Sequence, residues 1–551
     1  MSDSRIDVRG VRWQLGQRLR LHFSDEHAFS QWLGSTEVQI VKHGPHRTVY
    51  RVRGPDFDVH LKQDRPLGLR GRLRSWLRPL KARREYDLAR ECQARGVATP
   101  NPLAWGVSQQ PGISWLVTET VPDARPLLVV LEQDLTGAFE ARQMLAEMLG
   151  AFVARLHAAG VFHHDLHPGN ILVRWPSDDL PKLSLIDLHA VRLRTTGRPT
   201  HWRDCEQNLV ILNRYFILRS SRTDRLRFWQ AYAAALGRIV PSPHGQTARV
   251  IEELTGASNR TFWRERDRRC RANNRYYVRL RQGPHRGYAV RGLNHFGLSE
   301  VLDDPDAEFG RSDVKPLKHS PSSTVAEIEW PGGRRVILKR FNLRRPSDAW
   351  LGLVRPSAAL RSWVYGHGLR ERCLPTARPL VMFHRYSGGR PREGYLLTEK
   401  IDGAIELHEW VRRLAAQSAE RRSPLLRSRI EALARLVRDL HGRGLSHRDL
   451  KAPNLLTPID PDDHRFWLID LVGVRRRQRV SGRRRALDLA RLHASFRDHP
   501  LVTRTEKLRF LRIYLNWGLR GKTGWKVWWR TIAQATQAKV ARNLRRGRPL
   551  A

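Results

Sequence analysis

The sequence is poor in cysteine and in long apolar runs. Its four cysteines form no CxxC pair and have no zinc-ligand spacing, which argues against a disulfide scaffold or a zinc module and indicates reduced, structural thiols. No apolar run approaches the roughly 18–20 residues that span a bilayer. Residues 1–20 contain no apolar segment typical of a secretory signal. These absences predict a cytoplasmic protein that at most rests on a membrane surface.

Negative charge is also scarce. The chain has 54 Asp+Glu against 99 Lys+Arg, so its formal net charge is +45, and most of the basic residues are arginine. Such a surface attracts polyanions, for example nucleic acid, anionic lipid headgroups, phosphorylated glycolipid or a nucleotide. A genome that favours arginine codons would explain the same excess, and the composition leaves both explanations open. The basic run at 264–271 (RERDRRCR) is more typical of a solvated helix face than of a binding surface.

The chain contains an internal repeat. Residues 153–170 (VARLHAAGVFHHDLHPGN) and 437–454 (VRDLHGRGLSHRDLKAPN) share eight of 18 positions, where chance predicts about one. Upstream, an offset of 277 residues (339 − 62) places Lys62 of VHLKQD on Lys339 of VILKRF. Several such blocks in the same order predict duplication of a whole domain. We expect a first domain at 1–285, a linker at 286–312 and a second domain at 313–551.

Each half has the same coarse pattern of elements. Two or three strands come first, followed by a helix and further strands. A helix-rich stretch then carries an HxD loop and a short strand that ends in IDL. The sequence therefore predicts an α+β fold in which a two-lobed domain, β-rich first and helical second, occurs twice in tandem.

Polar residues of the same types recur in both halves in the same order. They are Lys62, Asp165, Asn170 and Asp187 in the first half, and Lys339, Asp449, Asn454 and Asp470 in the second. A lysine that ends a strand suits phosphate oxygens as a compact positive charge. In an HxDxxxxN loop the aspartate can accept a hydrogen bond from a hydroxyl, and the asparagine offers an amide oxygen to Mg²⁺. A carboxylate that ends an apolar strand is explained better by Mg²⁺ ligation than by burial in a core. Together these groups meet the needs of phosphoryl transfer.

Further acids differ between the halves. Glu85 lies on the helix after Lys62 and could pair with it, but the same offset gives Ser362, so the pairing acid is missing from the second half. Asp204 and Asp488 are related by an offset of 284 residues (488 − 204). They either support the HxD loops from beneath or lie on the surface, and the sequence leaves both alternatives open.

These motifs resemble the protein-kinase-like fold, whose H-R-D-x-x-x-x-N loop is matched at 447–454. HHDLHPGNIL with a following IDL, and SHRDLKAPNLL with WLIDL, are similar to the catalytic segments of the lipopolysaccharide core kinases, the Kdo and heptose kinases of Gram-negative bacteria. The resemblance implies a two-lobed kinase that uses ATP and Mg²⁺. It implies phosphate-binding lysines at Lys62 and Lys339, with Glu85 positioning Lys62, adenine-facing segments around Glu119 and Glu399, catalytic bases at Asp165 and Asp449, and metal ligands at Asn170, Asp187, Asn454 and Asp470.

The chain also departs from the protein kinases. The glycine-rich loop is poor, because KHGPHRTVYRV retains only Gly44 and KHSPSSTVAEI retains no glycine. The DFG triplet is replaced by DLH and DLV, and no A-P-E segment follows. These departures favour a kinase of a small molecule or glycolipid over a Ser/Thr/Tyr protein kinase.

Three functions are compatible with these observations. The leading hypothesis is phosphorylation of a sugar hydroxyl of lipopolysaccharide core or a related glycolipid at the cytoplasmic face of the inner membrane, where arginine would meet an anionic surface. The second keeps the chemistry but takes a protein or a small metabolite as acceptor. The third is a pseudokinase scaffold with a basic surface for membrane or nucleic acid, and nucleic acid ranks last because no recognition module is present. The activity of the second domain and the oligomeric state stay open.

Overall fold

Two compact units, Met1–Asn259 and Arg260–Ala551, make up the chain. The structure, a computed structural model, describes residues 4–8, 10–16, 38–44, 46–54, 57–65, 81–110, 112–134, 138–176, 179–195, 197–242, 245–293, 295–312, 314–342, 355–516 and 524–547. Each unit contains a seven-stranded antiparallel sheet and a mainly helical part. The predicted α+β class and its tandem duplication are confirmed.

The sheet of the first unit has the order β1-β2-β6-β7-β5-β4-β3. Its strands are β1 (Ser4–Val8), β2 (Val11–Leu15), β3 (Val38–His43), β4 (Arg47–Arg53), β5 (Asp58–Asp64), β6 (Pro102–Ser108) and β7 (Ser114–Glu119). Side chains of β5 alternate between the two faces, so Val59 and Leu61 are buried in an apolar cluster with Trp13. Lys62 faces the opposite way, and in the ladder it lies opposite Val49 of β4 and Leu116 of β7.

The helical part of the first unit packs around one large apolar core. Its helices are α1 (Lys81–Ala94), α2 (Leu127–Gln133), α3 (Phe139–Ala158), α4 (Trp202–Arg219), α5 (Arg222–Leu236) and α6 (Gln246–Arg269), and α6 belongs to the second unit from residue 260 onward. Short strands flank the HxD loop and the segment that contains Asp187. They are β8 (Ala124–Pro126), β9 (Val161–His163), β10 (Ile171–Arg174), β11 (Lys182–Leu185) and β12 (Val191–Leu193). Leu149, Phe152 and Val153 of α3 are nearly or fully buried in this core, so the strand β9 that follows is held in a fixed place.

The sheet of the second unit repeats the order of the first, as β13-β14-β18-β19-β17-β16-β15. Its strands are β13 (Tyr277–Gln282), β14 (His285–Val290), β15 (Lys315–Ser320), β16 (Ser323–Trp330), β17 (Arg334–Phe341), β18 (Pro379–Ser387) and β19 (Arg390–Glu399). The register is repeated as well, because Lys339 lies opposite Val325 and Leu396, as Lys62 lies opposite Val49 and Leu116.

The remaining elements of the second unit follow the same plan. They are α7 (His295–Asp303), α8 (Ala358–Glu371), β20 (Ala404–Glu406), α9 (Leu407–Ala415), α10 (Ala419–Gly442), β21 (Leu445–His447), β22 (Leu455–Pro458), β23 (Trp467–Leu468), β24 (Val474–Arg476), α11 (Gly482–Ala494), α12 (Arg504–Leu515) and α13 (Gly524–Leu544). Among all residues of the chain that the structure describes, no helix is both long enough and apolar enough to cross a membrane.

The boundary between the units differs from the predicted linker at 286–312. The units divide after Asn259, and the segment 286–312 contains most of β14 and all of α7. β13 (YVRLRQ) alternates apolar and basic residues over only four positions, and β14 (HRGYAV) does not alternate, so this segment gives only a weak strand signal in sequence. We therefore propose 1–259 and 260–551 as the two domains.

Candidate active sites of the two units

A buried ion pair joins the sheet of the first unit to its first helix. Lys62 Nζ of β5 lies 2.5 Å from Glu85 Oε1 of α1, and Glu85 is only 2% exposed. Burial by itself raises the pKa of this carboxyl, but the nearby charges of Lys62 and Arg47 lower it below its ordinary value. Glu85 is therefore ionised, and it holds the Lys62 ammonium beside α1.

Arg47 extends this pair into a network that sequence reasoning missed. Its guanidinium donates to Asp187 Oδ1 at 2.6 Å, to Asp64 Oδ1 at 2.9 Å and to Glu85 Oε2 at 3.1 Å. Burial opposes the charge of Arg47, but Glu85, Asp64 and Asp187 raise its pKa above the ordinary value. The only signal in the sequence is the position of Arg47 in KHGPHRTVYRV, where a third glycine would stand in a glycine-rich loop.

The HxD loop of the first unit is fixed by its own hydrogen bonds. Asn170 Nδ2 donates to the Asp165 carbonyl at 2.9 Å, and the Asp165 N–H donates to His163 Nδ1 at 3.1 Å. The Ile186 N–H donates to the Asn170 carbonyl at 3.0 Å, which places the loop beside Asp187. The hydrogen bond from Nδ2 fixes the orientation of the Asn170 amide, and its Oδ1 is the atom that can bind a cation.

Asp187 takes an uncommon backbone conformation at the end of LSLID. Its φ of 63° lies in the left-handed region, which a non-glycine residue adopts only where the surroundings impose it. Burial raises the pKa of this carboxyl, but the hydrogen bond from His189 and the charges of Arg47 and Lys62 lower it overall. Oxygens or ring nitrogens of Glu85, Asp187 and His189 lie within 4.8 Å of one another. An ionised carboxylate with oxygen neighbours fits a hard cation such as Mg²⁺.

The second unit pairs the corresponding lysine differently. Lys339 Nζ lies 2.7 Å from Asp470 Oδ1, and Asp470 has the same left-handed backbone, with φ of 54°. Ser362, the fifth residue of α8 as Glu85 is of α1, is 3% exposed, and its Oγ has no hydrogen-bond partner among the described residues. Burial raises the Asp470 pKa, but Lys339 lowers it overall.

Of the Arg47 network, the second unit retains only the aspartate that corresponds to Asp187, which is Asp470. Arg47 lies opposite Asp64 in the β4–β5 ladder, and the same ladder position holds Ser323 and Phe341 in β16 and β17. With Ser362 in place of Glu85, the arginine and two of its carboxylate partners are replaced together. A buried charge left without its partner costs several kcal/mol, and after this joint replacement Lys339 and Asp470 compensate each other at the site.

The HxD loop of the second unit repeats the geometry of the first. Asn454 Nδ2 donates to the Asp449 carbonyl at 2.8 Å and to Asp449 Oδ2 at 3.0 Å. His447 Nδ1 accepts from the Asp449 N–H at 3.3 Å, and the Ile469 N–H donates to the Asn454 carbonyl at 3.0 Å. The two units thus share the loop and differ in the lysine pairing.

A cleft of about 720 Å³ lies at this site of the second unit. Lys339, Asn454 and Asp470 line it together with further charged side chains, among them those of Lys318, Glu327, Glu399 and Lys451, and with apolar side chains such as those of Val325, Leu396 and Ile469. A cleft of this size whose walls are partly apolar and partly charged suits a small charged molecule or cofactor.

Glu119 and Glu399, around which the family resemblance implies adenine-facing segments, form hydrogen bonds within the protein. Glu119 accepts from Asn101 Nδ2 at 3.2 Å, and Glu399 Oε1 lies 2.7 Å from Arg334 Nη2. Both N–H groups donate to backbone carbonyls. Contact of these segments with adenine stays a prediction. A direct contact through either glutamate side chain would require that side chain to give up the hydrogen bond described here.

The loop is supported from beneath by Asn208 in one unit and Asp488 in the other. Asp488 is fully buried and accepts from Ser446 Oγ at 2.5 Å. Asn208 Nδ2 donates to the His163 carbonyl at 2.8 Å, and each residue is the seventh of its helix. Asp204 instead forms an ion pair with Arg192 on the surface. The sequence offset of 284 missed Asn208, because the helices α4 and α11 are related by an offset of 280 (482 − 202).

This arrangement defines a protein-kinase-like class of protein, with a β-rich part that carries the lysine and a helical part that carries the HxD loop and the strand-end aspartate. The profile of the lipopolysaccharide kinase (Kdo/WaaP) family matches residues 59–232 and 353–514. The chain belongs to this family, and the resemblance inferred from its sequence is confirmed. The two matches correspond to the two units, one copy each.

Curated relatives agree with this assignment. The chain is 32% identical over 169 residues to the lipopolysaccharide core heptose(I) kinase WaaP of Pseudomonas aeruginosa, over 29% of this chain and 61% of that protein. It is 38% identical over 102 residues to the 3-deoxy-D-manno-octulosonic acid kinase of Stenotrophomonas maltophilia, over 18% of this chain and 35% of that protein. A solved structure of WaaP in complex with acyl carrier protein matches with 24% identity and a TM-score of 0.33, over 44% of this chain and 99% of that one.

Proposed function

We propose that this protein is an ATP-dependent kinase that phosphorylates a sugar hydroxyl of lipopolysaccharide core or a related glycolipid. The observation that carries the proposal is the buried Lys62–Glu85 pair beside Asp187, with the HxD loop tied by hydrogen bonds to the residue before Asp187. Membership in the lipopolysaccharide kinase family supports the class of acceptor.

Each site residue of the first unit has a specific role in the proposed reaction. The Lys62 ammonium binds α- and β-phosphate oxygens and keeps its position through Glu85. Asp165 orients the acceptor hydroxyl and accepts its proton. Asn170 and Asp187 would hold Mg²⁺, which neutralises phosphate charge when bound. Asp449, Lys339, Asn454 and Asp470 are the corresponding residues of the second unit.

Arg47 competes with a cation for the negative charge of Asp187, because its guanidinium donates to Asp187 Oδ1 at 2.6 Å. A cation bound at either oxygen of this carboxylate would repel the guanidinium and weaken the Arg47–Asp187 ion pair. Once released, Arg47 remains anchored by Asp64 and Glu85 and offers a positive charge to the phosphates. Arg47 therefore stabilises the nucleotide-free site and then contributes to nucleotide binding.

We infer that the first unit carries most of the transfer activity. In the second unit Lys339 is bonded to the proposed metal ligand Asp470, and no carboxylate replaces Glu85 to draw the lysine away. Nucleotide and metal binding there must first break this ion pair. The second unit retains its cleft and is expected to bind nucleotide more weakly.

The test is phosphate transfer to extracted lipopolysaccharide. The purified full chain is incubated with ATP, Mg²⁺ and lipopolysaccharide from cells that lack the protein, and the product is analysed by mass spectrometry. We expect one added phosphate in the core region, and none with the Asp165→Asn/Asp449→Asn double variant. Transfer only to a protein or a small metabolite would show that the acceptor belongs to that class and is not a glycolipid. Absence of nucleotide binding and of transfer to any extract would establish the scaffold alternative.

Contact with an anionic membrane surface is part of the same proposal. The formal net charge of +45 supports it. Vesicle sedimentation at low and high salt tests it, because electrostatic binding weakens as salt rises. Sedimentation that is equal on neutral and anionic vesicles would contradict the electrostatic explanation.

A further inference from the structure

The second unit contains a basic cavity apart from its nucleotide cleft. We call it the arginine pocket, and it has a volume of about 400 Å³. Its lining consists of Arg266, Arg269, Arg275, Arg291, Arg378, Tyr276, Tyr277, Val290 and Glu371. None of these residues lines the cleft that contains Lys339 and Asp470. Two of the arginines belong to the basic run at 264–271, which the sequence favoured as a solvated helix face.

The five arginines converge from separate elements. Arg266 and Arg269 lie in the last turn of α6, where positive charge stabilises the helix dipole. Arg275 precedes β13, Arg291 follows β14, and Arg378 precedes β18, so the dipole accounts for only two of the five. The sheet order brings these elements together, because β14 pairs with both β13 and β18.

Several of these side chains are held by the protein. Arg291 Nε donates to the Asn274 carbonyl at 2.9 Å, and Arg275 packs over the Tyr276 ring, with its central guanidinium carbon 4.6 Å from the ring centroid. Arg378 Nη1 lies 3.6 Å from Glu399, outside the pocket. Arg275 and Arg291 are therefore positioned before a ligand binds, which lowers the entropy cost of binding.

Positive charge in the pocket is far from balanced. Glu371 is the only acid in the lining, and Arg266 Nε lies 3.8 Å from it. Arg269 and Arg275 are exposed and form no ion pair with a carboxylate in the described part of the chain. Like charges that face one cavity repel each other, and a bound anion removes that cost. The volume lies in the range of small-molecule sites, and two tyrosines supply an aromatic wall.

We propose that the arginine pocket binds a small ligand that carries a phosphomonoester or diphosphate group. Planar guanidinium groups bind phosphate through two parallel hydrogen bonds, which an ammonium does not do. The concave shape selects a discrete phosphate group over an extended charged surface. This site is independent of phosphate transfer, and its test does not require catalytic activity.

The probe is inorganic pyrophosphate, titrated into the full chain by calorimetry without Mg²⁺. The Arg269→Gln/Arg275→Gln variant should weaken binding at least about tenfold, since it removes two charge-assisted contacts. Two controls remove the same charge elsewhere. Arg421→Gln/Arg427→Gln changes exposed arginines of α10, and Lys62→Gln/Lys339→Gln changes both proposed nucleotide sites. Both controls should retain binding at the arginine pocket within about twofold of wild type.

Three results would overturn the proposal. These are absence of saturable binding, an equal loss in the α10 control, or loss of all binding in the lysine control. The two pocket residues are exposed, so melting curves should match wild type and separate binding from folding. The source of the phosphate is then assigned with glucose 6-phosphate and with vesicles containing phosphatidic acid. Binding of either probe that depends on Arg269 and Arg275 supports the site and names its source, whereas binding of neither contradicts it.

Discussion

The substitution Glu85→Gln removes one negative charge from the centre of the first unit and keeps nearly the same shape. Glu85 is 2% exposed and contacts two cations, Lys62 at 2.5 Å and Arg47 at 3.1 Å. Removing one partner of a buried ion pair costs about 3–5 kcal/mol. The amide oxygen of glutamine still accepts a hydrogen bond, so we expect the lower limit, about 3 kcal/mol, in the free energy of unfolding. If the same contact energy also holds Lys62 in its catalytic position, transfer should slow by about two orders of magnitude.

This loss should appear in kcat/KM for ATP, because Lys62 would no longer be held where the phosphates bind. The assay is initial-rate phosphate transfer, with MgATP affinity and thermal unfolding measured on the same preparations. Ser362→Ala is the matched control, since Ser362 occupies the corresponding position of the second unit and its Oγ has no hydrogen-bond partner in the part of the chain that the structure describes. It should change transfer by less than about twofold.

Two results would refute this reasoning. If Glu85→Gln keeps more than a third of the wild-type kcat/KM with an intact fold, the ion pair does not position Lys62 for catalysis. If Ser362→Ala reduces transfer as much as Glu85→Gln does, the two units are equivalent in spite of their different lysine pairing.

Two further predictions concern the second unit. Ser362→Glu supplies a carboxylate near Lys339 and should draw this lysine away from Asp470. Binding of an MgATP analogue, measured in a Lys62→Met background, should therefore tighten about tenfold. Unchanged or weaker affinity would contradict this expectation. His367 is buried against the Trp363 ring at 4.3 Å, and burial lowers its pKa from 6.5 to about 3. The unfolded state therefore binds the proton below pH 6.5 while the folded state does not, and the free energy of unfolding should lose about 2 kcal/mol from this group between pH 8 and pH 5. His367→Phe should flatten that fall in urea denaturation, and an unchanged slope would refute the assignment.

Local pattern made much of the candidate site predictable. The HxD loops, the lysines and the strand-end aspartates are each defined by a few neighbouring residues, and their recurrence in both halves separated them from chance. The structure brings Lys62, Glu85 and Asp187 together, as the proposed site requires. Their catalytic and metal-binding roles remain proposals that the variants above test.

Other features were not predictable from local pattern. Arg47 joins Asp64 only through the β4–β5 ladder, and it joins Glu85 and Asp187 only through the packing of α1 and of the segment after β11. Asn208 was not identified from the sequence, because the loop before α4 is longer than its counterpart before α11. This difference changes the offset between the two halves, so the sequence comparison paired Asp488 with Asp204. Strands β13 and β14 were missed because β13 alternates over only four residues and β14 does not alternate. Of these features, the Arg47 network is the one that is decided by partners distant in the sequence.

The central claim is that the first unit performs the transfer. The most direct measurement compares Asp165→Asn with Asp449→Asn in single-turnover phosphate transfer from ATP, under identical conditions and with unfolding curves to show that both variants are folded. The account predicts a loss of about 1,000-fold for Asp165→Asn, the magnitude expected of a general base, and a loss of less than about threefold for Asp449→Asn. Equal losses in the two variants, or a larger loss for Asp449→Asn, would contradict it.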